Sequence, residues 1–156
     1  MRRAFHCLLQ PVGTIPRTHT PVAYHLLIAS MLFQALSGLG GGGALVASPD
    51  GSLLGLPPTL LAGTPFDGFL IPGLILLFVL GVLPSIVLWG LWRRRAWSWY
   101  GSVLVGTALV IWISVQILMI GYENDPPLQA IYGGLGLLML GLSAVPSVRR
   151  HVTEPR

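Results

Sequence analysis

Four long apolar runs separated by short polar connections dominate the chain: Val22 to Ala47, about Phe69 to Trp92, Ala96 to Gly121, and Leu128 to Val148. Each reaches the roughly 20 residues that an α-helix needs to cross a hydrocarbon layer about 30 Å thick. The expected fold class is therefore all-α and integral to a membrane, a bundle of four transmembrane helices in a single domain, residues 1–156. Residues 1–21 then form a cytoplasmic arm and residues 149–156 a cytoplasmic tail.

The connections carry their own signals. Ser48 to Pro65 is too apolar for a plain solvated loop, and Pro57-Pro58 forbids one continuous helix through it. Short pieces lying at the outer interface, or capping the bundle, are expected there. Gly40-Gly41-Gly42-Gly43 is expected to fray or bend the last turns of the first helix, because glycine costs about 1 kcal/mol against alanine in an exposed helix interior. Leu45-Val46-Ala47 also resembles a small-residue cleavage site, but the preceding apolar core is longer than that of a usual secretory signal. Pro72 and Pro84 each remove a backbone donor from the second helix and bend it.

Lipid tails compete for apolar contact, so membrane helices associate through small residues and polar bridges. Ser37/Gly41 and Gly38/Gly42 on the first helix, Gly73 and Gly81 on the second, Ser102/Gly106 on the third and Ala130/Gly134 on the fourth read as packing positions. Gln34, near mid-depth on the first helix, reads as an interhelical bridge. Val82-Leu83-Pro84-Ser85 and Ala144-Val145-Pro146-Ser147 echo one another and hint at duplicated hairpins.

Charge then supplies an orientation. All nine basic residues are arginines and all flank apolar runs: Arg2, Arg3, Arg17, Arg93-Arg94-Arg95, Arg149, Arg150 and Arg156. Cationic loops beside spans are retained in the cytoplasm, so both termini and the second connection are expected on the cytoplasmic side of the membrane. Trp89, Trp92, Trp97, Trp99 and Tyr100 bracket the arginine triplet as an interfacial belt would. With 53% hydrophobic and 9% charged residues, too little polar material remains to coat a soluble domain. The arginines form short clusters without a continuous basic face, which argues against nucleic acid and for the lipid bilayer as partner.

Chemistry is sparse. Cys7 is the single cysteine, in a basic arm where it reads as an incidental thiol or an acyl anchor. No acidic residue, lysine or arginine lies within a span, which demotes ion-coupled transport. No phosphate loop, helical metal motif or serine–histidine–acid set is present, so no catalytic residue, metal ligand or cofactor is assigned. The one candidate constellation lies on the third helix, where Trp112, Gln116, Met119 and Glu123 recur at helical spacing. Together with Asp67 and Tyr132, and with Tyr122, Asp125 and Gln129 nearby, these residues are expected to line an outward-facing pocket for a small amphipathic molecule or lipid headgroup. The alternative is that Gln116 makes an interhelical hydrogen bond, Trp112 packs and the loop acids face water.

Residues 63–73 (Gly-Thr-Pro-Phe-Asp-Gly-Phe-Leu-Ile-Pro-Gly), Trp112-Ile113-Ser114-Val115-Gln116 and Leu128-Gln129-Ala130-Ile131-Tyr132 resemble a pattern in uncharacterised small four-span bacterial membrane proteins. The resemblance spans roughly the last three helices. It implies a protein of a bacterial inner (cytoplasmic) membrane with four helices and no particular activity. The expected role is structural or accessory, through contact with another membrane protein or a second copy. A carrier or binding protein for a small amphipathic molecule is the alternative, and a membrane enzyme using Asp67 and Glu123 ranks behind both.

Overall fold

A computed structural model describes residues 22–122 and 127–153. The described residues contain helices and turns and no strand. Helix α1 spans Val22–Ala47, α2 Leu70–Trp92, α3 Trp97–Ile120, α4 Leu128–Ala144 and α5 Pro146–Thr153. Three helices, α1 to α3, are long and apolar enough to cross a membrane, and α4 with α5 makes a fourth if that bent pair is one span.

Helices α1 to α4 run up, down, up and down, each packed against its neighbours in sequence, and α4 closes the ring against α1. Leu27, Met31, Leu80, Val105, Leu109 and Met139 fill the axis. The perimeter is also apolar: Leu36, Phe78, Ile86, Leu104, Ile111, Leu118 and Leu137 all stand exposed. A protein that is hydrophobic inside and outside has no amphipathic stripe to drive helix packing, so the contacts must come from shape.

Shape is supplied first by α1 and α2. A Cβ on Gly38 would overlap the Leu80 carbonyl, and one on Gly81 would lie 2.8 Å from the Leu39 nitrogen. Backbone therefore packs on backbone at mid-bundle, and Gly42 against Leu77 and Gly73 against Leu45 extend the seam. This contact also explains why the glycine run neither frays nor bends α1, which stays helical to Ala47. Gly42 is buried in the seam while Gly40 and Gly43 face open space. On the other side of the ring, Gly106 and Gly136 bring α3 and α4 together. Ala130 and Gly134, expected to pack, are exposed.

The first connection is two short 3₁₀ turns, Ser52–Leu54 and Pro58–Leu61, with an extended Pro57 between them, as its prolines require. At the opposite end α2 stops in a tight reversal. The Arg94 N–H bonds the Leu91 carbonyl and the Arg95 N–H bonds the Gly90 carbonyl, both at 2.9 Å, with Arg94 at φ 50°. That is the paired-bond cap of a helix ending in a left-handed residue, here an arginine in place of the usual glycine.

The fourth apolar run does not continue to Val148. Pro146 disfavours helical backbone at the residue before it, and Val145 is extended (φ −67°, ψ 121°). The chain turns by 68° into α5. Residues 149–153, read from the sequence as the start of a tail, belong to this amphipathic helix, whose Val148 and Val152 are buried in the bundle core.

The seam yields a direct test. Gly38→Ala is expected to destabilise the protein in detergent by roughly 1–3 kcal/mol, because it overpacks backbone against backbone. Gly40→Ala, in open space, should be neutral or stabilising by up to about 1 kcal/mol. Equal thermal midpoints for the two variants would remove the seam as the controlling contact.

Candidate functional site

Polar chemistry collects at three levels: mid-bundle, the end bearing Asp50 and Asp67, and the end bearing the arginines. At mid-bundle Gln34 is 1% exposed, and its Nε2 donates to the Leu80 carbonyl at 3.1 Å. That carbonyl is available because of Pro84. In an α-helix the residue four positions on donates its N–H to it, and proline has none. The helix accommodates the defect with a π turn over Phe78–Val82, in which the Leu83 N–H reaches back five residues to the Phe78 carbonyl. Ser85 Oγ donates to the Gly81 carbonyl at 2.8 Å. Gln34 Oε1 is buried with no hydrogen-bond partner among the described residues, so this glutamine satisfies its neighbour's backbone more fully than itself.

Two other buried serines in the spans are turned onto local backbone. Ser102 Oγ donates to the Ser98 carbonyl at 2.9 Å and Ser143 Oγ to the Met139 carbonyl at 2.7 Å. Gln129, buried at the start of α4, donates to the Gly121 carbonyl at 3.0 Å and closes the α3–α4 connection.

At the aspartate end an open hollow of about 340 Å³ is lined by Pro49, Asp50, Leu61, Ala62, Phe66 and Asp67, with Gly68 and Phe69 completing it. Phe69 anchors its floor: the ring is buried against Gly51, which sits at φ 80°, and its N–H donates to the Pro49 carbonyl at 2.8 Å. The Asp50 carboxylate accepts from Ser48 Oγ at 2.6 Å, Ser52 Oγ at 2.9 Å and the Ser52 N–H at 3.2 Å. The Ser48 and Ser52 donors stabilise its charged form and hold its pKa below the ordinary carboxylate value.

The expected pocket residues are distributed differently. Asp67 lines the hollow, whereas Trp112, Gln116, Met119 and Tyr132 do not. Trp112 and Tyr132 are half-buried and pack against the bundle core, with Tyr132 stacked on Phe33 at 6.0 Å between ring centroids. Gln116 and Met119 are half-buried on α3. Glu123 and Asp125 lie outside the described residues. Asp50 is the hollow-lining acid that the span-by-span reading passed over, and the signal for it was the Ser48-x-Asp50-x-Ser52 spacing, in which short hydroxyl side chains fold back on a carboxylate.

At the arginine end, Tyr24 Oη donates to the Leu91 carbonyl at 2.6 Å, tying the start of α1 to the end of α2, and its ring meets His151 of α5 edge-on at 4.7 Å. Trp99 Nε1 donates to the Ser143 carbonyl at 2.8 Å, where α4 breaks off. The Arg149 guanidinium lies 4.9 Å over the Trp99 ring, and that of Arg93 lies 5.7 Å over Trp89. Among the described residues no group of three or more His, Cys, Asp or Glu side chains is placed to hold a metal ion.

No family model, curated protein or solved structure matches the chain. No activity passes to it from a relative.

Two measurements probe these arrangements. Gln34→Leu should cost less stability in a Pro84→Ala background than in the native chain, because alanine restores the N–H for Leu80, and the coupling should be about 1 kcal/mol. Equal costs in both backgrounds would show that Gln34 does not serve the proline defect. In an NMR titration the Asp50 carboxyl should have its midpoint below about 3.9, the ordinary aspartate value. A depressed folded-state pKa stabilises the connection above the ordinary value, and that contribution is lost as pH falls through the folded pKa. Ser48→Ala should move the midpoint upward.

Proposed function

We propose that the chain is a small multi-pass protein of the bacterial cytoplasmic membrane, with both ends cytoplasmic, that serves as a structural or accessory component. Its helix faces would contact another membrane protein or a second copy. The observation that carries this reading is the combination of a packed interior with an apolar perimeter: core side chains fill the axis, and the buried Ser102 and Ser143 are turned to backbone carbonyls. Such an interior supports a packed scaffold over a conduit, because a permeation path needs polar groups facing a shared lumen. The placement of the arginines relative to the four runs supports the orientation.

Crosslinking in native membranes, combined with native mass spectrometry over a range of expression levels, tests the role. A specific stoichiometric adduct is expected, and an isolated monomer under every condition would reject it. Reconstituted vesicles are expected to show no flux over a broad solute panel.

The hollow favours a second reading, in which the protein binds a small amphipathic molecule. Asp50 and Asp67 would receive a cationic head and Phe66 and Phe69 an apolar body. A fluorescent long-chain quaternary amine should then bind more weakly to Asp67→Asn than to the native protein. Unchanged affinity would sink this reading while leaving the accessory role intact.

A further inference from the structure

The geometry points to the arginine end as a binding face for the headgroups of anionic phospholipids, an inference that rests on the membrane placement proposed above. Arg93 and Arg95 on the α2–α3 reversal and Arg149 and Arg150 on α5 are all exposed, and among the described residues none of the four is paired with an acid. The two described acids, Asp50 and Asp67, sit at the far end of the bundle. The charge at this face is therefore unbalanced by anything the described chain supplies.

Two of these arginines also lie over aromatic rings. Arg149 Cζ is 4.9 Å from the centre of the Trp99 ring and Arg93 Cζ 5.7 Å from that of Trp89, both within cation–π reach. A guanidinium has five N–H donors in a planar fork, so one held beside a ring keeps donors with which to recognise a phosphate through two parallel hydrogen bonds. Trp99 is itself fixed by its bond to the Ser143 carbonyl, and α5 is held by Val148 and Val152 in the core. The Arg149 site is thus built on packed elements of α3, α4 and α5.

A lipid, rather than a soluble polyanion, is the occupant because the basic face runs directly into an apolar one. Trp92 is 79% exposed and Tyr100 66%, and beyond them the surface continues through Leu104 and Ile86. Aromatic side chains at the headgroup level with aliphatic ones below match the layering of a phospholipid from phosphate to acyl chain. A soluble phosphopeptide or nucleic acid would meet the arginines and leave that adjoining apolar surface uncovered.

The full-length protein in nanodiscs of mixed phosphatidylglycerol and phosphatidylcholine tests this, with carbonate extraction and vesicle flotation establishing insertion first. Spin-labelled phosphatidylglycerol should be enriched at the protein over spin-labelled phosphatidylcholine, by up to roughly fivefold for each arginine engaged. Arg149→Gln and Arg93→Gln should each lower the enrichment. Arg149→Lys should restore only part of it, because an ammonium keeps the charge and loses the fork. Circular dichroism of each variant reports whether the fold is kept, and the Arg150→Gln variant, changed on the exposed face of α5, serves as a second charge deletion if Arg149→Gln fails to fold. An inserted protein with no anionic preference, or a preference unchanged in every arginine variant, overturns the inference and spares the membrane reading. A protein released by carbonate overturns both, and tighter binding of single-stranded RNA than of phosphatidylglycerol vesicles would assign the face to another class of partner.

Discussion

The close approach of α1 and α2 at Gly38 and Gly81 is the constraint on which the other features depend. Where surroundings are as apolar as the side chains, burying another leucine gains little, and helices hold together where backbones come near enough for many weak contacts and a few polar ones. Gly38 permits that approach at the level of Leu80, the residue whose carbonyl Pro84 leaves without its helical donor. Gln34, one turn before Gly38 on the same face, then lies within reach of that carbonyl. A larger residue at 38 would part the helices and leave the π turn without its lateral bond.

The two echoing tetrapeptides show how far tertiary context decides what a proline does. Leu83 precedes Pro84 and stays helical (φ −59°, ψ −48°), against the usual preference of a pre-proline residue. It does so inside the seam, with a π turn absorbing the missing bond. Val145 precedes Pro146 at the end of α4, more than two turns beyond the Gly106–Gly136 approach, and the chain takes the extended conformation that the proline favours. There the orphaned end of α4 finds Trp99 instead, which caps the Ser143 carbonyl from a neighbouring helix. One local signal has two outcomes, so no structural duplication follows from it.

The same contrast explains what was legible in the residue pattern. Three of the spans could be read because apolar runs of this length have few alternatives, and Gly38/Gly42 and Gly73/Gly81 could be read because small residues at helical spacing leave room for a partner. The partner itself was not legible, since Ala130/Gly134 has the same spacing and points away from the bundle. The division of the last run was hidden for another reason: hydropathy averages across Pro146, while backbone geometry does not. The hollow at the aspartate end was only partly legible. Asp67 lines a hollow, but the walls come from the Ser48–Phe69 connection, folded by turn geometry that helical periodicity on α3 does not report, and Trp112 and Tyr132 are spent on packing.

Among the described residues polar groups inside the bundle are few, and most are tied to backbone. A serine bonded to the carbonyl four residues back is removed from any shared lumen, and both Ser102 and Ser143 are held this way. Gln34 differs, since its Oε1 has no donor among the described residues, yet its Nε2 is committed to Leu80, and turning the amide would set oxygen against oxygen. The mid-bundle is therefore a joint of close-packed backbone with one committed amide. It separates two ends of opposite chemistry, with carboxylates and phenylalanines at one and arginines over aromatic rings at the other. Alternating access through such a bundle would require the Gly38–Gly81 seam to open, at the cost of the contacts that hold α1 to α2.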